Sequence, residues 1–485
     1  MIIAAMYPCP YDVQDRHDHN SSIIVNDRLY AYEEDKLTGV KNEGTVRFPE
    51  RSLMMGFKEL KVHPSDVDLW IFPTPAKIDY KSLEFFFTTI VKAFKGKKSD
   101  FKSWLHNHTK FVPHQISHAS LGIFASNFKN SMFLCMDGGG DHGDNRNFIF
   151  GEYTNNKFKI KYQTKGTSNI GSFHAFLTDA LGLAANESGK VSGLAGYGKI
   201  NNELVEKFSS LLTVSKNGIH FARKRYSHTK LNLEKIKPRE YNRSKFMNQY
   251  PSDNNISRLS YKYLPQDIAA TGEFVFREKI LELLRLLRLE STSQNIVLGG
   301  GVFQNVTLNK YIQESNIFKK CYFNMASGDS GLSLGSALYA SSKKNIKNRK
   351  NLLSPFIGPS FDESEIERLL NQSRLKYKSI KNIEKEVAKL ISQGKCVGWF
   401  QGRAEYGPRS LGARSILADP RRIKSKSRIN QLLKKRDWFM PYAPSIMIEY
   451  TKDFLDQPIK SPYMQIALNI KKSKRKIIPA GVHVD

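Results

Sequence analysis

Cysteine is scarce in this 485-residue chain: Cys9, Cys135, Cys321 and Cys396 stand far apart, and no C-x-x-C pair occurs. That argues against a disulfide framework and against a thiolate zinc site. No run of eighteen apolar residues is present, so no membrane-spanning helix is expected. The opening MIIAAMYPCPYD has no basic segment ahead of its apolar stretch and soon turns polar, so it does not read as a secretory leader. Glycine and proline follow no fixed period and no long heptad run appears, which excludes collagen-like and coiled-coil architectures. Acidic residues are outnumbered, 46 against 75 Lys and Arg. A reducing cytoplasm is the setting these absences lead us to expect.

Material for hydrophobic cores is plentiful: 40% of residues are apolar, with 30 Phe and 21 Tyr. The length exceeds what one core serves, so two or three domains are expected. A formal charge of +29 would attract any polyanion. Much of the excess lies in KKNIKNRK at 343–350 and KKSKRK at 471–476, which read as solvated linkers or turns. Nucleic acid is therefore the less favoured partner, and nucleotide or phosphate substrates would benefit from the same field.

Apolar patterning predicts strands at 2–6, 22–25, 29–32, 67–72 and 131–136, with a turn at Asn26-Asp27, and antiparallel strands across 148–162. Helical periodicity predicts helices at 52–60, at 80–93 and from 267 to about 289. Two strands run into glycine turns: 133–137 into Gly138-Gly139-Gly140, and 295–298 into Gly299-Gly300-Gly301. A strand, a glycine turn and a helix start together make a cradle for phosphate. The basic stretch 340–352 reads as a boundary, followed by helices at 364–370 and 383–391 and a strand at 396–400. The expected division is 1–345 and 353–485.

Several groups of residues could carry chemistry. His114 and His118 stand four apart, so a helix starting at Pro113 would put both imidazoles on one face. Asp137 follows nineteen residues later at a strand end, where α/β sheets present side chains to a ligand. Two imidazoles and a carboxylate suit Fe(II), Mn or catalytic zinc. His106, His108 and His142 compete for the same role, and Asp329, in ASGDSGLSLGS, is a further carboxylate or a helix cap. His17, Asp18 and His19, with Glu33-Glu34-Asp35-Lys36, offer acid and base groups or else a solvated turn. The strongest local signal is QGRAEYGPRSLGARSILADP at 401–420, which sets Arg403, Arg409 and Arg414 among glycines. Guanidinium forks match phosphate oxygens, and glycines let backbone come close to a ligand. Asn430, Lys434, Lys435 and Arg436 could add polar and cationic contacts, and Ser445 a hydroxyl.

Taken in order, EEDKLTGVK at 33–41, HQISHASLGIF at 114–124, MDGGGDHGD at 136–144, SGKVSGLAGYGK at 188–199, DIAA at 267–270, GGGVFQNVTLN at 299–309, GDSGLSLGSAL at 328–338 and GRAEYGPRSLGARSILADPR at 402–421 resemble the O-carbamoyltransferases of nodulation-factor, cephem, aminoglycoside and ansamycin biosynthesis. The resemblance covers nearly the whole chain. It implies an α/β, actin/hexokinase-like N-terminal region, in the form found in tRNA threonylcarbamoyl-transfer proteins, followed by an α+β adenylate-forming domain. It implies ATP (with Mg) and carbamoyl phosphate as co-substrates, a carbamoyl adenylate, and a hydroxylated small-molecule acceptor. His114, His118, Asp137 and Asp329 match the metal positions, with iron implied. Arg403, Arg409, Arg414 and the Lys434–Arg436 stretch match the adenylate-forming site. Nucleotide contacts are expected at Gly138, Gly139, Gly300, Gly301 and Asn305 and at Lys434, Arg436 and Ser445, with His19 or a nearby carboxylate taking the hydroxyl proton.

The chain departs from the family pattern in three places. The His-Asp-Ser-Ser element reads His19-Asn20-Ser21-Ser22, and the aromatic-Arg-Pro-Phe-Ala-Pro segment reads Phe439-Met440-Pro441-Tyr442-Ala443-Pro444. IPAGVHVD at 478–485 matches a stretch that in the family runs on, so the second domain is expected to be C-terminally incomplete, with a dimer or a completing polypeptide left open. Acyl transfer to tRNA and a nucleotide-binding scaffold are the competing readings. A scaffold, however, has no physical need for both the metal set and the arginines.

Overall fold

The computed structural model describes residues 1–7, 18–40, 48–73, 79–139, 146–166, 169–184, 187–222, 259–343 and 354–485. Cys9, His17, Gly140, His142 and residues 344–352 of the boundary stretch at 340–352 lie outside them.

Two five-stranded sheets share one topology. In the first, β1 (Ile2–Tyr7), β2 (Asn20–Val25) and β3 (Arg28–Glu33) form an antiparallel meander, and β4 (Leu69–Phe72) and β5 (Thr109–Phe111) add in parallel on the other side of β1. In the second, β6 (Ser131–Met136), β7 (Arg146–Thr154) and β8 (Lys157–Lys165) form the meander. A separate hairpin, β9 (Leu212–Ser215) with β10 (Gly218–Phe221), follows. Then β11 (Asn295–Gly299) and β12 (Lys320–Phe323) add in parallel beside β6. The order β3-β2-β1-β4-β5 is thus repeated as β8-β7-β6-β11-β12, the duplicated architecture of the actin/hexokinase-like fold.

Helices fill the spaces around these sheets. They include α1 (Glu50–Leu60), α2 (His114–Ser126), α3 (Ile170–Ala180), α4 (Gly189–Ala195), α5 (Pro265–Arg288), α6 (Val306–Glu314) and α7 (Leu332–Ser342). Between the sheets α2 packs on α7, and both are buried along most of their length. Two glycines permit the close approach: a Cβ at Gly335 would stand 2.0 Å from Ser117 O, and one at Gly122 2.2 Å from a Val297 methyl. One apolar core joins both sheets through this helix pair. A second lies outside the first sheet under α1, and a third outside the second sheet under α3 and α5.

After residue 354 come α8 (Glu363–Gln372), α9 (Ile383–Ser392) and the antiparallel pair β13 (Val397–Phe400) and β14 (Arg414–Leu417). Apolar burial among these elements is slight, and Ile366, Leu369, Phe400, Ile416 and Trp438 are exposed. Yet Ile357, Tyr406 and Tyr463 belong to the core between the two sheets, so this region is sewn into the first.

The helix expected at 80–93 runs to Ile90 and changes pitch on the way: Tyr80–Phe85 is α-helical and Phe86–Ile90 forms a π turn. Phe86 and Phe87 both pack edge-on against buried Trp70, and Thr88 Oγ1 bonds back to Glu84 O at 2.6 Å. Among the described residues no helix is long and apolar enough to cross a membrane, and Cys135, Cys321 and Cys396 are unpaired thiols.

Candidate metal centre and the arginine segment beside it

The parallel pairing of β6 with β11 sets Cys135 beside Gly299, so the turns that follow the two strands meet. At Gly300 the backbone has φ +90°, and a Cβ would lie 2.2 Å from Met136 O; only glycine fits. The turn then aims Gly301 N–H at Asp137 Oδ2 (3.2 Å), while Gly138 N–H donates to Oδ1 (3.0 Å). These glycines hold a carboxylate in place. Gly139 stays in the open, with nothing within 4 Å of where a Cβ would be.

Pro113 caps α2, whose first residue is His114, and the four-residue spacing brings His114 and His118 together with their Nε2 atoms 3.0 Å apart. Asp329 opens a short 3-10 turn ahead of α7. His118 Nε2 lies 3.2 Å from Asp137 Oδ2 and 3.5 Å from Asp329 Oδ1; for His114 Nε2 the distances are 3.8 and 3.4 Å. Ligand bonds of about 2.1 Å put neighbouring donors roughly 3.0–3.4 Å apart around one ion, so the spacing fits a divalent cation. His106 and His108 sit on another helix, Phe101–His108, where His108 stacks on Trp104.

Burial alone would lower the pKa of His118 and raise that of Asp137. The hydrogen bonds of His118 to Asp137 and Asp329, and those of Asp137 to the two imidazoles, outweigh it, so His118 is held above its ordinary value and Asp137 below. Tyr7 Oη donates to Asp329 Oδ2 at 3.0 Å. Buried Asn20 donates through Nδ2 to Asp329 O (2.9 Å) and accepts Ser333 N–H on Oδ1 (3.0 Å). A carboxylate at position 20 could accept but not donate, so Asn is the residue that ties the Asp329 loop to the start of α7. His19, fully buried at the start of β2, accepts Glu34 N–H on its carbonyl at 2.8 Å.

The arginine segment folds against the same crevice. Glu33 Oε1 accepts Gly407 N–H at 2.6 Å. Lys36 Nζ reaches Glu33 Oε2, Glu405 O and Gly407 O, each at 2.7 Å. Tyr406 Oη donates to Ser330 O, the residue after Asp329. Glu34 accepts Arg51 N–H (3.1 Å) and Ser52 N–H (2.7 Å) at the start of α1. Glu33 and Glu34 are buried, so this charged cluster is an anchor and not a solvated turn.

The three arginines separate in space. Arg409 donates to Gln304 O (3.3 Å), beside the glycine turn that holds Asp137. Its buried Nε has no hydrogen-bond partner among the described residues, and burial holds its pKa below the usual guanidinium value. Arg414 reaches Tyr32 Oη at 3.1 Å. Lys434 is held below the usual lysine value by burial, then by the like charges of Arg436 and Arg414, which places the three cations together. Arg436 bonds Asn430 Oδ1 (2.8 Å) and lies over the Tyr442 ring. Arg403 instead donates to the carbonyls of Gly358 (3.0 Å), Ile357 (2.7 Å) and Leu29 (3.2 Å), binding the segment to β3. Ser445 is exposed.

Asn305 caps α6 and donates to Glu273 Oε2 at 2.8 Å. Glu273 Oε1 takes Ser192 Oγ–H (2.7 Å) and His174 Nε2 (2.9 Å). Burial would raise the Glu273 pKa, but these partners bring it below the ordinary value. Sequence reading named Asn305 as a nucleotide contact but missed Glu273 and His174, and Tyr7 with them. Ser192, in SGKVSGLAGYGK, and Gln304, in GGGVFQNVTLN, lay within motifs that were already marked.

A family model described as the carbamoyltransferase N-terminus matches residues 76–338, and one described as the carbamoyltransferase C-terminus matches 388–485. The chain is 30% identical to protein MJ1051 of Methanocaldococcus jannaschii, over 97% of this chain and 84% of that one. It is 28% identical to MJ1058 of the same organism, over 80% of this chain and 64% of the relative. Nodulation protein NolNO of Sinorhizobium fredii is 27% identical over 97% of this chain and 68% of its own length. The chain thus spans about two thirds of the length of the last two.

Proposed function

The chain belongs to the carbamoyltransferase family, and from that premise we propose that it is an ATP-dependent O-carbamoyltransferase acting on a hydroxylated small molecule. The observation that carries this reading is the junction of two chemistries: Asp329 faces the two histidines, and the next residue, Ser330, is bonded by Tyr406 of the arginine segment.

An alcohol is a weak nucleophile, so the carbamoyl carbon needs a good leaving group. Water cleaves carbamoyl phosphate to carbamate and phosphate. A carbamate oxygen then attacks the α-phosphorus of Mg-bound ATP and displaces pyrophosphate. Arg414, Lys434 and Arg436 offset charge on the phosphates in this step. The acceptor oxygen next attacks the carbamoyl carbon, the bond to AMP breaks, and the hydroxyl proton passes to His19 or a nearby carboxylate. A divalent ion held by His114, His118, Asp137 and Asp329 would supply Lewis acidity to a phosphoryl or carbonyl oxygen. Iron is the identity that the family resemblance favours. Arg409, between the cation group and the metal turn, holds the adenylate phosphate as the intermediate passes from one step to the other.

The test is mass spectrometry of products after ATP, carbamoyl phosphate and a panel of alcohols are supplied, with metal analysis of the same sample. The reading expects a carbamoylated alcohol, AMP and a bound divalent metal; ADP as the sole nucleotide product would contradict it. Arg409→Gln should cut product formation by at least about tenfold, and an unchanged rate would remove that residue from the scheme.

A further inference from the structure

Lys190 and Gly193 stand three residues apart in α4, so they share one face of that helix, and Tyr197 continues the face one turn on. Val191, fully buried, roots the helix in the core under α3 and α5. The exposed side of α4 meets the segment that follows the cation group. Lys190 Nζ bonds Asp437 Oδ2 at 2.6 Å and also pairs with Glu187. At Gly193 a Cβ would stand 3.5 Å from Phe439 and Met440 and 3.6 Å from Pro441, so the segment lies directly on the helix. Tyr197 packs edge-on against Trp438 with ring centroids 4.7 Å apart.

What α4 holds is bonded in turn to the cations. Pro441 O accepts from Arg436 at 3.1 Å. Met440 O accepts from Asn430 Nδ2 at 3.1 Å, and Asn430 Oδ1 accepts Arg436 Nε at 2.8 Å. Moving 437–441 therefore moves the Arg436 guanidinium. On its other side α4 reaches the metal turn: Ser192 Oγ donates to Glu273 (2.7 Å), and Glu273 accepts from Asn305, the cap that follows the glycine turn holding Asp137.

We propose that α4 is a strut that sets the cation group against the metal turn, with Lys190 as its positioning residue; this rests on the carbamoyl-transfer reading. An adenylate formed at the cations must reach the metal side before water attacks its carbamoyl carbon, breaks the bond to AMP and returns carbamate. A slackened strut lets the two walls part and exposes the intermediate to water. Asp437 is 40% exposed, and ion pairs this open add little to stability, so cutting the Lys190–Asp437 tie should shift the segment and leave the fold standing.

Exchange of labelled pyrophosphate into ATP, measured alongside AMP accumulation with carbamoyl phosphate present and no acceptor, tests this. Exchange counts adenylate that is retained and reversed; AMP counts adenylate lost to water. Lys190→Met should raise the ratio of AMP to exchange about tenfold over wild type, and so should Gly193→Leu, whose side chain pushes 439–441 off the helix. Lys190→Arg keeps the ion pair and should keep the wild-type ratio. Lys58→Met, which cuts the Lys58–Glu365 pair between α1 and α8, should keep it too. Melting curves confirm that each variant is folded. Wild-type ratios in both Lys190→Met and Gly193→Leu, or a rise shared equally by Lys190→Arg or Lys58→Met, overturn the proposal. A wild-type chain that exchanges no pyrophosphate with carbamoyl phosphate present removes the carbamoyl-transfer reading and this proposal with it, whereas exchange with unmoved ratios removes this proposal alone.

Discussion

Tyr7 and Asp329 are 322 residues apart in sequence, yet the phenol donates to the carboxylate oxygen that faces away from the histidines. Partners of metal-binding carboxylates orient them, and their loss typically costs about 10–100-fold in metal affinity. Tyr7→Phe should therefore weaken metal retention by about tenfold in competition with a chelator while the fold persists; unchanged retention would show that the hydroxyl is idle. Glu273 makes a different prediction. Its folded pKa lies below the ordinary value, so its contribution is fully present above the unfolded carboxylate pKa of about 4.3 and is lost as pH falls through the folded pKa. Glu273→Gln should cost about 2 kcal/mol at neutral pH, read by denaturant unfolding. The gap from wild type should close in acid; a gap that held constant with pH would mean the charge contributes nothing.

At the scale of elements, the buried Glu33–Lys36 pair holds the 405–407 turn by its backbone. Lys36→Met leaves Glu33 buried without its cation, at a cost of about 3–5 kcal/mol. Hydrogen exchange across 403–414 should accelerate first, and uniform protection across the chain would contradict the anchoring role. Such long-range ties explain what sequence reading could reach. The strands that end at the site, β6 and β11, announce themselves as apolar runs stopped by glycine. β5 (TKF) and β12 (KCYF) are three and four residues long and carry lysine, so no pattern separates them from loop. The helix expected at 80–93 forms as far as Ile90, and periodicity gave no sign that its second half winds as a π turn, with Phe86 and Phe87 both against Trp70. His114, His118 and Asp137 were legible by spacing, and Asp329 by its motif. Lys36, quoted with its motif, gave no hint that its partners were the carbonyls of Glu405 and Gly407.

For the whole molecule, the duplicated sheets make the crevice and the region after 354 closes over part of it. Tyr406 lies in the core between the sheets, and Arg409 reaches the turn that holds Asp137. The metal candidates and the arginines, which the expected division at 345–353 sets in different regions of the chain, become neighbouring walls. On the proposed function these walls serve one reaction, in which ATP is opened only to activate a carbamoyl group. The most direct measurement is pyrophosphate release by the purified, metal-loaded chain with and without carbamoyl phosphate. Release that depends on carbamoyl phosphate is the result predicted; release at the same rate without it, or phosphate and ADP in its place, would contradict the account.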